Sequence, residues 1–302
     1  MYWFKNAMIY RLTKTLDWAP DALQQKLASC AYHPCNQSDM SKFGWNAPLR
    51  GSELLYFTVG KQILLLAHKE EKILPAHVVK RELENRIHQL EQKENRKLKK
   101  TEKQALKEDV ISVLLPRAFS KNQQTALWID GENNLIYVDA ASAKRAEEAL
   151  GLLRKSLGSL PVVPLAFATE PSAVMTNWLK EQNIPAWLTP LEEAELRSTE
   201  DKGIIRCKQQ ALDSDEIFSH LQAGKIVTKL ALDWDEHLSF LLAEDGSLKR
   251  LKFADMIREK NDDILKEDFA QRFDADFVLM SGELSKLTEN LLDTFGGEKQ
   301  RL

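Results

Sequence analysis

Uninterrupted apolar runs, cysteines, phosphate-loop glycines and a net excess of either charge are all wanting in this sequence, and each absence excludes a class of protein. The longest apolar stretch, residues 54–67, is broken by Gly60-Lys61-Gln62, well short of the roughly eighteen consecutive apolar residues of a membrane span. The opening MYWFKNAMIYRLTK mixes cations among apolar residues and holds no signal-peptide core, which points to the cytoplasm and to no membrane partner. Three cysteines, Cys30, Cys35 and Cys207, are too few for a disulfide framework and suit a reducing compartment. Cys30, His33 and Cys35 are zinc-ligand types, but a fourth ligand is missing nearby and the spacing fits no common finger, so no metal site is expected. Gly60-Lys61 and Gly224-Lys225 lack the earlier glycine that a nucleotide-phosphate loop requires. There is no G-x-G-x-x-G, G-x-S-x-G or H-E-x-x-H, and neither enzymatic activity nor a bound cofactor is expected. Only Asp268, Asp274 and Asp276, in EDFAQRFDADF, gather carboxylates of the kind two-metal nucleases use. Helix capping and surface charge account for them equally well.

Hydrophobic residues make up 43% of the 302 residues, enough to core one large domain or about two to three small ones. Residues Trp3 to Leu12 predict a strand, Pro20 to Ala28 a short helix capped near Asp17, and HPCNQSDMSKFGWNAP a loop. Glu53 to Val59 and Gln62 to His68 predict a hairpin around Gly60-Lys61. From Pro75 to about Val113 the pattern is helical and stops before Pro116. Unbroken, that is a rod of about 55 Å; equally, two helices can fold back on each other, since residues 92–103 are polar enough to hold a turn. Strands at Thr125 to Asp130 and Asn134 to Asp139 follow, then a helix from Ser142 to Leu157 ended by Gly158. LPVVPLAF reads as a proline-bounded edge strand, Pro171 to Glu181 as a helix, and Pro185 to Thr199 as a connection between subdomains. Beyond it come strand IIRCKQQ, a helix from Ser214 ended by Gly224, and strand KIVTKLALDW. The hairpin of HLSFLLA and SLKRLKF turns at Glu244-Asp245-Gly246, and helical and strand segments then alternate to the C-terminus. Strands outnumber βαβ units, so the expected fold class is α+β with mixed antiparallel sheets. Four parts are expected: an α+β part over 1–75, an extended basic helical segment with a loop tip over 76–124, a central α+β part over 125–200 and a C-terminal α+β part over 201–302.

The net charge is only -3, so a polyanion would have to be met by a local patch. Residues 93–121 carry nine Lys or Arg against four Asp or Glu, whereas residues 253–302 carry seven against twelve. On a continuous helix, Lys93, Arg96, Lys97, Lys100, Lys103 and Lys107 fall within one arc of roughly 120°, opposite Leu83, Ile87, Leu90, Leu98 and Ala105. Glu94 and Glu102 lie outside that stripe, so intrahelical pairing is not expected to neutralise it. A row of cations suits nucleic-acid phosphates, contacted through counterion release without reading sequence; the plainer alternative is a solvated charged face. Directly after it, in LPRAFSKNQQ, Phe119 sits between Arg117 and Lys121 in a polar loop. It is either a wedge or stacking surface for bases or an aromatic folded back onto the helix end. In the second half, alternation places Arg206, Lys208 and Gln210 on one strand face with Ile205 and Cys207 on the other. It also sets Ile226, Thr228, Leu230, Leu232 and Trp234 on a core face with Lys225 and Lys229 outward. Lys249, Arg250 and Lys252 crowd the last hairpin strand, giving a sheet whose cationic face can also lie along a phosphate backbone.

The blocks WFKN, EEKILP, RKLKKTEK, LLPRAFS, LLRKSLGSLPVVPL, GKIVTKLALDW, DGSLKRLKF and DFAQRFDADF, in this order, resemble the RdgC family of recombination-associated proteins nearly end to end. The resemblance implies a ring-shaped homodimer of α+β protomers with a positively charged central hole wide enough for duplex DNA. It implies association with the nucleoid and binding of double-stranded DNA, and of single strands as well, with little sequence preference. It further implies restraint of RecA by limiting its access to DNA. The family's DNA-contacting loop matches Arg117 and Phe119, and a second contact falls at Gln209 and Gln210. There the chain departs from the pattern, with Cys207 and Gln209 where a more basic run is expected. Two other readings stand beside this one: a regulator that contacts RecA directly through the acidic C-terminal region, and a metal-dependent nuclease.

Overall fold

The computed structural model describes residues 3–201, 203–264 and 268–300. Its first sheet is antiparallel. Strands β1 (Met8–Leu12), β2 (Ser41–Asn46), β3 (Tyr56–Val59), β4 (Gln62–Lys72), β5 (Ser120–Asp130), β6 (Leu135–Val138) and β7 (Val162–Pro164) run in the order β2-β4-β5-β6-β1-β7, with β3 beside β2 on the same edge of β4. The proline-bounded β7 lies at the edge, where a missing amide donor costs least. β4 is buried on both faces, which is why it reads as a near-continuous apolar run and not as an alternation. Ile63, Leu65 and Ala67 face helices α1 (Pro20–Ala28) and α4 (Ala143–Leu157), with Leu127, Ile129, Ile136 and Val138 beside them. Leu64 and Leu66, with Trp128 and Tyr137, face the other way into the larger core.

That larger core is shared with a second antiparallel sheet, ordered β12 (Leu248–Phe253), β11 (Leu238–Ala243), β10 (Ile226–Trp234), β8 (Leu188–Arg197) and β9 (Ile204–Lys208). The fold class is α+β, as the sequence pattern predicts. The longest helix of the described residues, α8 (Phe269–Thr294), supplies Phe273, Phe277, Met280, Leu284, Leu287 and Leu291 to this core. Those positions advance by steps of four and three, the repeat that holds one stripe of a helix against a neighbour. Two shorter helices, α5 (Pro171–Glu181) and α6 (Asp215–Gln222), add Met175, Trp178, Ile217 and Leu221. The two sheets are also tied through the backbone: Ala7 and Leu248 exchange amide hydrogen bonds of 2.7 and 3.0 Å, and the Leu251 amide donates to the Lys5 carbonyl at 2.8 Å.

Three readings of the sequence need correction, and one open alternative is decided. Residues 41–46, expected in a loop, form β2; Gly44 is required there, because a Cβ would meet the Tyr32 amide nitrogen at 2.6 Å. Residues 188–197, expected as a connection, form β8, whose Pro190 pairs with Leu232 next to a register shift where a missing donor is tolerated. The alternation expected near the C-terminus is the single helix α8 after a short α7 (Asp255–Arg258). The helical stretch after Pro75 is two helices, α2 (Ala76–Glu94) and α3 (Lys100–Leu114), reversed at Asn95 with φ 50. Asparagine tolerates that left-handed conformation and so ends a helix. Of the two arrangements open for this stretch, the chain takes the hairpin and not the long rod. Val79, Leu98 and Val110 are buried in it, and none of them belongs to either main core. Ala105, placed by the continuous wheel on the packed side, is exposed.

With α8 held between two sheets, Phe277→Ala should cost about 3–5 kcal/mol. Phe277 is fully buried and meets Phe57 edge-on at 5.8 Å. A matching fall in the urea midpoint of unfolding checks this.

Candidate nucleic-acid interface

The Phe119 tip is built on the far ends of β4 and β5. Lys72 pairs with Ser120 and Glu71 with Lys121, so Lys121 is the start of a strand and not part of a loop. The Ile73 amide donates to the Phe119 carbonyl at 2.7 Å and the Lys72 amide to Met40 at 2.8 Å. Phe119 is 85% exposed, so it is not folded onto the helix end; Ile73 and Met40, both 49% exposed, are its apolar neighbours along the backbone. Arg117 ends a 3-10 turn, Leu115–Arg117, and is exposed.

Under this tip sits Glu70, only 8% exposed. The Ser120 hydroxyl, the Cys35 amide and the Tyr32 hydroxyl hold its carboxyl down at about 2, against burial, which works the other way. The amide and phenol bonds are both 2.8 Å. Tyr32 stacks on His68 with centroids 4.0 Å apart, and His68 Nε2 lies 2.9 Å from the Asn122 amide oxygen. Burial, followed by the nearby Glu70 carboxylate, pushes the Cys35 thiol up, away from the thiolate form that binds metal. Among the described residues no group of three or more His, Cys, Asp or Glu is placed to hold a metal ion.

The hairpin changes the cation row. Because the chain reverses at Asn95, Glu102 swings back onto Arg96 at 2.6 Å, and Glu94 reaches the same guanidinium at 2.7 Å. Glu91 takes Lys97 at 2.7 Å, Lys103 at 3.5 Å and the Leu98 amide at 3.0 Å. The expectation of an unneutralised stripe is thus overturned for Arg96, Lys97 and Lys103. Lys93, Lys100 and Lys107 remain exposed on the hairpin.

A second cationic group forms on the outer face of the second sheet. Register places Arg206 opposite Glu195 and Lys208 opposite Glu193. Lys208, Gln209, Arg250 and Lys252 line an open trough of about 620 Å³ floored by Ala231, Ser239 and Leu241, with Glu192 and Glu193. Arg206 and Lys229 line a smaller hollow beside it that shares Glu193, Lys208 and Leu241. Arg250 has φ 53; the Asn6 side chain accepts its amide at 3.2 Å and Glu193 its guanidinium at 2.9 Å. Gln210 donates to Glu216 at 2.7 Å. Lys225 and Lys249, both half-buried, line neither hollow. The expected core face of β10 holds for Leu230, Leu232 and Trp234 but not for Ile226 and Thr228: the strand bulges there, so Val227 enters the core, Ile226 is half-buried, and the Thr228 hydroxyl donates to Glu195.

The carboxylates suggestive of a nuclease do not converge. Asp268 caps α8 by accepting the Gln271 amide at 3.2 Å, and Asp276 is buried against the Asn261 amide at 2.9 Å. Asp274 is exposed, about 200° around the helix from Asp276. What sequence reasoning missed is the carboxylates that do organise the candidate site, Glu70, Glu91, Glu193 and Glu195. The spacing of Glu193 and Glu195 on one strand face is a legible signal only once residues 188–197 are read as a strand.

Glu91 and Glu102 are each held at about 2, the first chiefly by Lys97 and the Leu98 amide, the second chiefly by Arg96 and the Lys99 amide. A carboxylate depressed in the fold stabilises it above its ordinary range and loses that contribution as pH falls toward the depressed value. Hydrogen exchange at about pH 6 and about pH 3 should show residues 96–103 losing protection at the lower pH before either sheet does. A Glu91→Gln, Glu102→Gln variant should show the loosened turn at both.

Residues 2–298 match the family described as "Putative exonuclease, RdgC". The chain is 78% identical over 302 residues, the whole of both chains, to the recombination-associated protein RdgC of Mannheimia succiniciproducens. It is 75% identical over the same full length to that of Pasteurella multocida, and 70% identical over 301 residues, 99% of this chain and all of the relative, to that of Haemophilus influenzae. No helix among the described residues is long and apolar enough to cross a membrane. A match that runs through both sheets, the hairpin and the tip leaves no part of the fold outside it, and the chain belongs to the RdgC family.

Proposed function

We propose that this protein binds DNA through its phosphate backbone without strong sequence preference, encircles duplex as a ring-shaped homodimer, and restrains RecA by limiting access to DNA. The observation that carries the reading is the gathering of Arg206, Lys208, Gln209, Lys229, Arg250 and Lys252 from three strands onto one concave face. A trough of this kind follows a backbone and offers no element to enter a groove, which fits contacts that position without reading bases. The hairpin supplies Lys93, Lys100 and Lys107, and the tip presents Arg117, Phe119 and Lys121. Phe119, with Ile73 and Met40, is an apolar surface for unstacked bases or for the partner protomer's tip, where the ring closes. In this reading the hairpin and tip, residues 76–124, form the arm by which one protomer reaches the other.

Retention on DNA of different topology tests the ring. A closed dimer loaded on covalently closed circles should survive a salt challenge that strips it from linear duplex of the same sequence; equal loss from both sinks encirclement. Phe119→Ala should shorten that retention at least several-fold while leaving thermal melting unchanged, since the side chain is 85% exposed. Unfolding of the variant would instead assign Phe119 to packing.

The family's description raises phosphodiester cleavage as a second reading. The divergence of Asp268, Asp274 and Asp276 argues against those carboxylates carrying it, and failure to shorten duplex with magnesium or manganese disposes of it. Persistence of RecA inhibition in a large excess of DNA would favour direct contact with RecA over control of access.

A further inference from the structure

On the outer face of the second sheet, the cations are already partnered by the protein's own carboxylates. Glu195, with a side chain 14% exposed, accepts Arg206 at 2.8 Å and Lys229 at 2.9 Å, and the Thr228 hydroxyl at 3.2 Å. Although burial works against ionisation, the hydrogen bonds from Arg206 and Lys229 hold its carboxyl down at about 2. Glu193 pairs with Arg250 at 2.9 Å, and that pair joins β8 to β12 across two intervening strands. Three spacings of about 4.8 Å separate the two strands, so both side chains must lie across the sheet for their tips to meet. The pair therefore runs over the floor of the trough. Both carboxylates share the face of the cations, where neither serves the core.

We propose that Glu193 and Glu195 are built-in counterions of this face, so that a nucleic-acid backbone binds by displacing them from Arg250, Arg206 and Lys229. This rests on the reading that the face binds DNA, and deepens it. An exposed pair such as Arg250 with Glu193 is worth at most about 1 kcal/mol, so phosphate can take its place, and the displaced carboxylate stays nearby and repels the backbone. The consequence is a face that holds any duplex weakly and releases it readily, as a protein that moves along DNA requires. The carboxylates keep the three cations oriented outward in the free protein and set an upper limit on how tightly they grip.

The test is duplex affinity by fluorescence anisotropy across a salt series, for the full chain and for Glu193→Gln, Glu195→Gln and the double variant. The expected result is tighter binding, on the order of several-fold to tenfold per carboxylate removed at low salt, and a steeper fall of affinity with salt, by up to about one power per site. Unchanged or weaker affinity in folded variants overturns the inference. If Glu195→Gln unfolds, Glu193→Gln alone decides, because the Glu193 and Arg250 side chains are 29% and 54% exposed and take no part in the core. An Arg206→Ala, Arg250→Ala variant separates the two levels. If it binds as well as the unaltered chain, the face is not the DNA surface and both proposals fall. If it binds more weakly while the Gln variants change nothing, only the counterion role fails.

Discussion

The burial of α8 between two sheets is the constraint on which the rest of this molecule depends. One stripe of the helix, from Phe273 to Leu291, must find apolar partners on both sides, and the inner faces of the two sheets, with α5 and α6, supply them. At about 25 cal/mol per Å² of apolar surface removed from water, this shared core makes the sheets a single body. The cations of the candidate site are left on surfaces that neither core claims: the outer face of the second sheet, the tip and the hairpin. The backbone bonds from residues 5–7 to β12 fix the relation between the sheets at the edge where Arg250 turns outward.

Charge in this protein is organised by pairing and not by excess. The chain is weakly acidic overall, at -3, and its cationic segments carry their own carboxylates. Glu91 and Glu102 close the hairpin turn, Glu70 holds the root of the Phe119 tip, and Glu193 and Glu195 sit among the cations of the trough. In the proposed reading, such a surface would attract a polyanion locally without the broad positive field that would fix it to the first duplex it meets. Phe119 at the tip is the most exposed of the large apolar side chains among the described residues.

Where local pattern decided structure, the sequence was legible. The helices Pro20–Ala28, Ala143–Leu157 and Pro171–Glu181 and the hairpin turning at Gly246 are where capping, proline and turn residues place them. Reading failed where tertiary contacts override local signals. β8 hides behind Pro185 and Pro190, whose breaking character a bulge absorbs, and β2 depends on a close backbone approach at Gly44 that no local pattern announces. The cation stripe was drawn on a helix that Asn95 interrupts, so its residues were identified but their partners were not. Arg206 and Lys208 are legible singly from alternation, and Arg250 and Lys252 from the crowding of cations on the hairpin strand; that Lys208, Arg250 and Lys252 share one hollow follows from a strand order, β12-β11-β10-β8-β9, that places β12 three places from β8.

If the protein binds DNA as proposed, the duplex lies against the outer face of the second sheet and the tip. Lysine acetylation, read residue by residue with and without a saturating short duplex, tests it most directly. Lys121, Lys208 and Lys252 should be shielded by duplex, while Lys26 on α1 and Lys155 on α4, at the opposite side of the first sheet, label at the same rate with or without it. Unchanged labelling of Lys208 and Lys252 under bound duplex, with protection appearing at Lys26 or Lys155 instead, would contradict it.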